Sequence, residues 1–298
     1  MKVLITGSHG QVGSCLVEQL KIFPNTEILA VDRNELDITS QSDVIKSVKE
    51  FKPHIIINAA AHTAVDKAET EVDLSYAINR NGPLYLAQAA ENVGAALLHI
   101  STDYVFSGDK DGMYVETDTV DPQGVYGKSK LAGEQAVLDN CSRTIILRTA
   151  WVFGEEGNNF VKTMLRLAQQ RDELGIVADQ FGGPTYAGDI ATVLITIART
   201  IVAEGSNFES SKYGIYHYSG LPHTSWCGFA QTIFDKAVEQ KVLNKAPIIN
   251  GIKTEDYPTP AKRPANSKLN TQKITETFDI QASDWQCALN QLSDYQNY

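Results

Sequence analysis

The sequence predicts an α/β fold: a doubly wound parallel sheet with helices on both faces, joined to a smaller, discontinuous second domain. Three observations carry this. Short β-branched runs alternate with helix-period stretches up to about Ser219. The runs are continuously apolar, as in strands buried on both faces, so the sheet is parallel. A glycine-rich turn follows the first run directly and opens the first helical stretch. Such alternation builds an open sheet whose ligands lie at the carboxyl ends of the strands, where the strand order reverses.

The predicted strands are Val3–Thr6, Ile28–Val31, Ile55–Asn58, Ala96–Ser101, Thr144–Arg148 and Tyr213–Ser219. The predicted helices are Gln11–Lys21, Ser42–Phe51, Val72–Val93, Lys128–Leu138 and Ala187–Val202. From about Gly220 the alternation is lost and prolines collect at Pro247, Pro258, Pro260 and Pro264. Thr254–Asn270 reads as extended loop, and helical patterns return near Thr224–Lys241 and Ala282–Tyr298. We expect residues 1–153 with 185–219 to form a dinucleotide-binding domain, and 154–184 with 220–298 a substrate-binding domain.

The chain has 298 residues, 43% of them hydrophobic and 21% charged, enough for a substantial core. Its formal charge is -10, from 26 basic and 36 acidic residues. A nucleic-acid partner needs a basic face and is not expected. A small anionic substrate is compatible, because a few cations and helix N-termini can bind phosphate. Cys15, Cys141, Cys227 and Cys287 show no CxxC spacing, which argues for reduced thiols rather than zinc or disulfides. The first apolar run is too short for a signal peptide. No stretch approaches the roughly 18 to 20 apolar residues of a membrane span. The expected location is the cytoplasm, with no membrane partner.

Strand, glycine turn and helix in succession form the context a phosphate-binding fingerprint requires. In Gly7-Ser8-His9-Gly10-Gln11-Val12-Gly13, Gly7 permits the tight turn and Gly10 lets the backbone approach a pyrophosphate. Gly13 lets the helix pack on the strand, and the helix-start N–H groups face negative charge. Asp32 ends the second run, about 20 residues on, where an acid accepts hydrogen bonds from the adenosine ribose. Arg33 follows, and a guanidinium can neutralise a 2′-phosphate. The pair points to both NADH and NADPH. Asp37-Ile38 fits an adenine contact, or equally a helix N-terminal acid. The small residues of Asn58-Ala59-Ala60-Ala61 let a cofactor lie flat across the strand ends. His62 and Thr63 are polar contacts or ordinary loop residues.

The chemical end lies further on. Ser101-Thr102-Asp103 caps the fourth strand, where a hydroxyl can polarise a carbonyl. Tyr126 is the candidate proton donor. Lys130, one helical turn on, puts a positive charge on the same face. That charge, with the oxidised nicotinamide's own, is expected to lower the phenol pKa toward the working range, and the lysine can also hold the nicotinamide ribose. The bland alternative is an exposed helix start. Trp151 follows the fifth strand and packs against a sugar or base, or is core.

These residues resemble the dTDP-4-dehydrorhamnose reductase family of extended short-chain dehydrogenases. The matching stretches are Gly7–Gly13 with Gln11, Asn58–Asp66, Ser101–Phe106, Tyr126 with Lys130, and Arg148–Val152. Asp179-Gln180 with Gly183-Pro184-Thr185, and Arg263-Pro264 with Ser267 and Leu269-Asn270, match as well. The resemblance implies a Rossmann-like fold and NAD(P)H-dependent reduction of the C4 ketone of dTDP-4-dehydro-β-L-rhamnose to dTDP-L-rhamnose. It implies Tyr126 as proton donor, Lys130 as its partner and Thr102 as carbonyl polariser. Thr102, Asp103 and Trp151 fall where the family contacts the sugar nucleotide. Gly10-Gln11-Val12, Asp32, Asp37-Ile38 and Ala61-His62-Thr63 fall where it contacts the dinucleotide. Some members form dimers through magnesium held by a glutamate early in the first helix. Here that stretch reads Ser14-Cys15, so no metal is expected and a homodimer stays open. Two alternatives remain. One is an epimerase or dehydratase of the superfamily, weakened because Tyr104 stands where a dehydratase carries a second acid. The other is a non-catalytic regulatory subunit, against which the Tyr126/Lys130 pair argues.

Overall fold

The computed structural model describes residues 1–295. Its centre is a six-stranded, all-parallel sheet in the order Gly214–His217, Thr144–Thr149, Ala96–Thr102, Ile55–Asn58, Lys2–Thr6, Glu27–Val31. The first strand is flanked by the second and the third, so the winding direction reverses beside it. Successive side chains point to opposite faces. Val3, Ile5, Ile55 and Ile57 pack with the helices Gln11–Leu20 and Ala187–Glu204. Leu4 and Ile56 pack with Gln41–Phe51, Gly82–Val93 and Val125–Asn140.

A second core gathers Phe153, Val161, Leu165, Ile176, Phe229, Phe234 and Trp285. It is built on helices Phe160–Ala168 and Trp226–Glu239 and on strands Glu173–Val177 and Ile248–Ile252, which pair in parallel. Phe181–Gly182 pairs with Thr224–Ser225 and with Asn266–Ser267, drawing the proline-rich loop toward this unit. Helix Gln272–Phe278 returns to the main sheet, where Ile274 is buried in the first core. No helix of the described residues is long and apolar enough to cross a membrane.

Two expected helices differ. The stretch Val72–Val93 is not continuous: Val72–Tyr76 runs into one π-helical turn, Ala77–Asn81, and then Gly82–Val93. The inserted turn carries buried Asn79, which grips His62 through its backbone N–H and carbonyl and donates to Ser129 Oγ. The C-terminal stretch is a short helix, Trp285–Ala288, followed by 3₁₀ turns to Tyr295. Residues 296–298 of that expectation lie outside the described residues.

Candidate active site

At the reversal point the carboxyl ends of the first three strands border a cavity of about 410 Å³. Gly7, Gly10, Asp32, Arg33, Asp37, Ile38 and Ala61 line it. Gly7 has φ +71°, and a Cβ there would sit 2.7 Å from the Ala60 backbone. A Cβ on Gly13 would sit 2.0 Å from the Gly7 carbonyl oxygen, so both glycines are steric necessities of the turn. The Asp32 carboxylate accepts from the Arg33 N–H at 2.7 Å and meets His9 Nδ1 at 3.2 Å. Asp37 Oδ1 accepts from the Thr39 hydroxyl and N–H, which lowers its pKa. The sequence reading missed Leu36, Thr39, Leu74, Ala77 and Ile78. Leu74, Ala77 and Ile78 reach the cavity from the interrupted helix, and no local pattern announces that.

The other dinucleotide candidates stand back from this cavity. Gln11 Oε1 accepts from Asn159 Nδ2, a link to the second core's first helix, and Val12 is buried in the main core. His62 is held between Ser75 Oγ at 2.9 Å and Glu71 Oε2 at 3.2 Å. Thr63 is exposed. Cys15 is half-buried, and burial first, then Glu155 and Glu156, push its thiol up to about 12, so it stays protonated and makes a poor metal ligand. Among the described residues no group of three His, Cys, Asp or Glu side chains is arranged to hold a metal ion.

The structure brings Thr102, Asp103, Tyr126 and Lys130 together, all buried. The helix carrying the last two begins at Val125, earlier than its apolar pattern suggests. Its residue before the first turn, Gly124, has no side chain to cap it, and Glu69 Oε1 accepts the Val125 N–H at 2.9 Å instead. Thr102 Oγ1 donates to Asp103 Oδ1 at 3.0 Å and lies near enough to the Tyr126 phenol to hold its pKa down in part. Burial raises the Asp103 pKa to about 6, against hydrogen bonds from Ser267 and Thr102. Burial likewise pushes the Tyr126 phenol up, against the Thr102 hydrogen bond. The expected lowering by Lys130 is therefore not the governing influence: the Lys130 ammonium donates to the Ile100 carbonyl at 2.7 Å. Its own pKa falls to about 8, chiefly through burial.

Segments far apart in sequence cover this group. Ser267 reaches Asp103, and Arg263 joins Asp66 at 2.6 Å and the Tyr104 hydroxyl at 3.3 Å. Tyr104 in turn stands edge-on to Tyr126. Trp151 has φ +50°, and its ring stacks on Trp226 with centroids 3.6 Å apart. Gly182 lies against the same ring, where a Cβ would be 2.7 Å from Cε2. Trp226, which the sequence reading missed, makes this aromatic wall double.

The family model described as RmlD substrate binding domain matches residues 1–297. A dTDP-4-dehydrorhamnose reductase of Aggregatibacter actinomycetemcomitans is 55% identical over 294 residues, covering 99% of each chain. A crystal structure of a dTDP-4-dehydrorhamnose reductase from Clostridium acetobutylicum superposes with a TM-score of 0.90 at 41% identity, covering 100% of both chains. Another, from Bacillus anthracis in complex with NADP, gives 0.87 at 40% identity, covering 97% of this chain and 96% of that one. With a family model spanning nearly every residue, a close relative over the whole length and the same fold, the chain belongs to the RmlD family of dTDP-4-dehydrorhamnose reductases.

Proposed function

We propose that this site reduces the C4 ketone of dTDP-4-dehydro-β-L-rhamnose to dTDP-L-rhamnose, with NADPH or NADH as reductant and Tyr126 as proton donor. The observation that carries the reading is a buried phenol, beside a strand-end threonine and one turn from a buried lysine, whose burial favours the protonated form. The glycine turn and the cavity at the reversal point fit a dinucleotide. Gly7, Gly10, Asp32, Arg33, Asp37, Ile38 and Ala61 would hold its adenosine and pyrophosphate portion. The reduced nicotinamide, when bound, supplies the hydride. Tyr126 releases its proton to the carbonyl oxygen as negative charge builds there. Thr102 steadies the same oxygen, and Lys130 holds the nicotinamide ribose and stabilises the phenolate left behind. Residues 1–153 with 185–219 serve the dinucleotide, and 154–184 with 220–298 the sugar nucleotide. The cytoplasm, whose reducing thiols suit four free cysteines, is the proposed location. A homodimer without a bridging metal is the proposed assembly.

The direct test follows NADPH or NADH oxidation with dTDP-4-dehydrorhamnose beside other dTDP-ketosugars. Equal turnover of all of them, or of none, overturns the substrate reading.

Cofactor choice has its own test. Asp32 favours a free ribose hydroxyl and Arg33 a 2′-phosphate, so the two cofactors should serve with only a modest preference. Arg33→Ala should raise KM for NADPH more than for NADH. Equal effects would remove Arg33 from the phosphate.

At the other end, Trp151→Ala should weaken sugar-nucleotide binding while NADH binding stays near normal. Separate titrations of the two ligands decide. Loss of both together would make the Trp151–Trp226 stack a core element and nothing more.

A further inference from the structure

A buried line of side chains runs across three neighbouring strands and finishes at Lys130. Thr6 Oγ1 donates to Asn58 Oδ1 at 2.8 Å, and the Ala60 N–H donates to the same oxygen at 3.1 Å. Asn58 Nδ2 lies 3.0 Å from His99 Nδ1. His99 Nε2 lies 3.5 Å from Lys130 Nζ. All four side chains are buried.

The direction of every proton in this line follows from one fixed donor. A backbone N–H can only donate, so the Asn58 atom facing Ala60 is the amide oxygen. The atom facing His99 is then the NH₂ group, and His99 Nδ1 must accept. Burial keeps this imidazole neutral, holding its pKa well below the usual value. A neutral imidazole carries one proton, which therefore sits on Nε2 and points at Lys130. When Lys130 is an ammonium, two donors face each other. When it is an amine, Nε2–H donates to its lone pair.

We propose that His99 is a positioning residue for the reduction: locked by Asn58 with its proton on Nε2, it opposes the ammonium form of Lys130 and eases release of the lysine proton. The other groups around Lys130 act differently. The Ile100 carbonyl and Glu134 favour the ammonium, although Glu134 is already paired with Arg148. Tyr126, on the preceding turn, is a neutral phenol, and Asp103 sits beyond it. His99 is thus the neighbour that selects the amine, in the lysine that must stabilise the Tyr126 phenolate and then let a proton return.

The inference rests on the reading of Lys130 as partner of Tyr126, but its test needs no turnover. In cofactor-free protein labelled with ¹⁵N-histidine, His99 should show a bare Nδ1 and a protonated Nε2, unchanged from pH 6 to 9. A proton on Nδ1 in the wild type overturns the proposal. ¹³Cε-lysine spectra then follow the titration of Lys130. Asn58→Asp should draw the ring proton to Nδ1, leaving Nε2 to accept from the ammonium. His99→Gln can turn its amide oxygen toward Lys130 and adds no charge. Each should raise the Lys130 midpoint by about one pH unit, tenfold in proton affinity. An unchanged midpoint in His99→Gln, or in Asn58→Asp should the former not fold, removes His99 from the tuning of Lys130. Failure of the wild type to reduce the ketosugar overturns the proposed function instead.

Discussion

Tyr126→Phe is expected to lower kcat by about 10²–10⁴-fold, the usual contribution of a general acid. Hydride arriving at C4 leaves an alkoxide whose charge must be quenched as it forms. Burial holds the phenol in its protonated form, and the Thr102 hydrogen bond moderates that hold, so the donor is loaded at neutral pH. Phenylalanine keeps the ring and its edge-on contact with Tyr104 and removes only the hydroxyl. Dissociation constants for cofactor and substrate should therefore change little. Lys130→Met should also cost kcat and should loosen the cofactor as well, because the lysine serves two groups. The measurement is single-turnover reduction at saturating cofactor, with chemistry shown to limit the rate. Near-normal turnover of Tyr126→Phe would mean that another donor near Thr102 and Asp103 carries the proton.

Arg148→Met should destabilise the fold by about 3–5 kcal/mol, the range for breaking a buried ion pair from one side. The Arg148 guanidinium meets Glu134 through two bonds, at 2.9 and 2.6 Å, with each side chain only 2% exposed. Losing the cation strands a carboxylate on the helix that carries Tyr126 and Lys130. The double variant, Arg148→Met with Glu134→Leu, removes both charges and should recover most of the loss, since apolar replacements of buried pairs are often neutral or stabilising. Urea unfolding of the single and double variants checks this. A double variant as unstable as the single would show that shape, not charge, is what the pair contributes.

The central sheet was legible because its strands are continuous apolar runs; Ile55–Asn58 matches in full, four others differ by one residue at one end, and Gly214–His217 is shorter than expected at both ends. The glycine turn was legible because only glycine fits beside Ala60 and the Gly7 carbonyl. What stayed hidden depends on partners distant in sequence. The start of the Tyr126 helix at Val125 needs Glu69 as its cap. The break at Ala77–Asn81 arises where Asn79 must reach both His62 and Ser129. Helix Phe160–Ala168 and strands Glu173–Val177 and Ile248–Ile252 belong to a core assembled from three separated stretches, so no local alternation signals them. Tyr126, Lys130, Thr102 and Asp103 were each readable from motif and position. The burial that sets their acidities, and the Asn58–His99 line behind Lys130, exist only once the strands lie side by side.

The cover that Ser267 and Arg263 place over Asp103 and Tyr104 has a consequence for how the protein comes into being on the ribosome. The glycine turn and its cavity are made of residues that emerge early, all before Asn79. The reacting group gains its roof only after the chain has grown past Ser267, and the sixth strand, Gly214–His217, must already have closed the sheet edge beside Thr144–Thr149. At about 5–20 residues per second, a nascent chain spends about 10–40 seconds with its nucleotide cradle already synthesised and its chemistry still open to water. The residues of the nucleotide cradle are thus made well before those that roof the reacting group, while the helix that backs the glycine turn, Ala187–Glu204, is made in between.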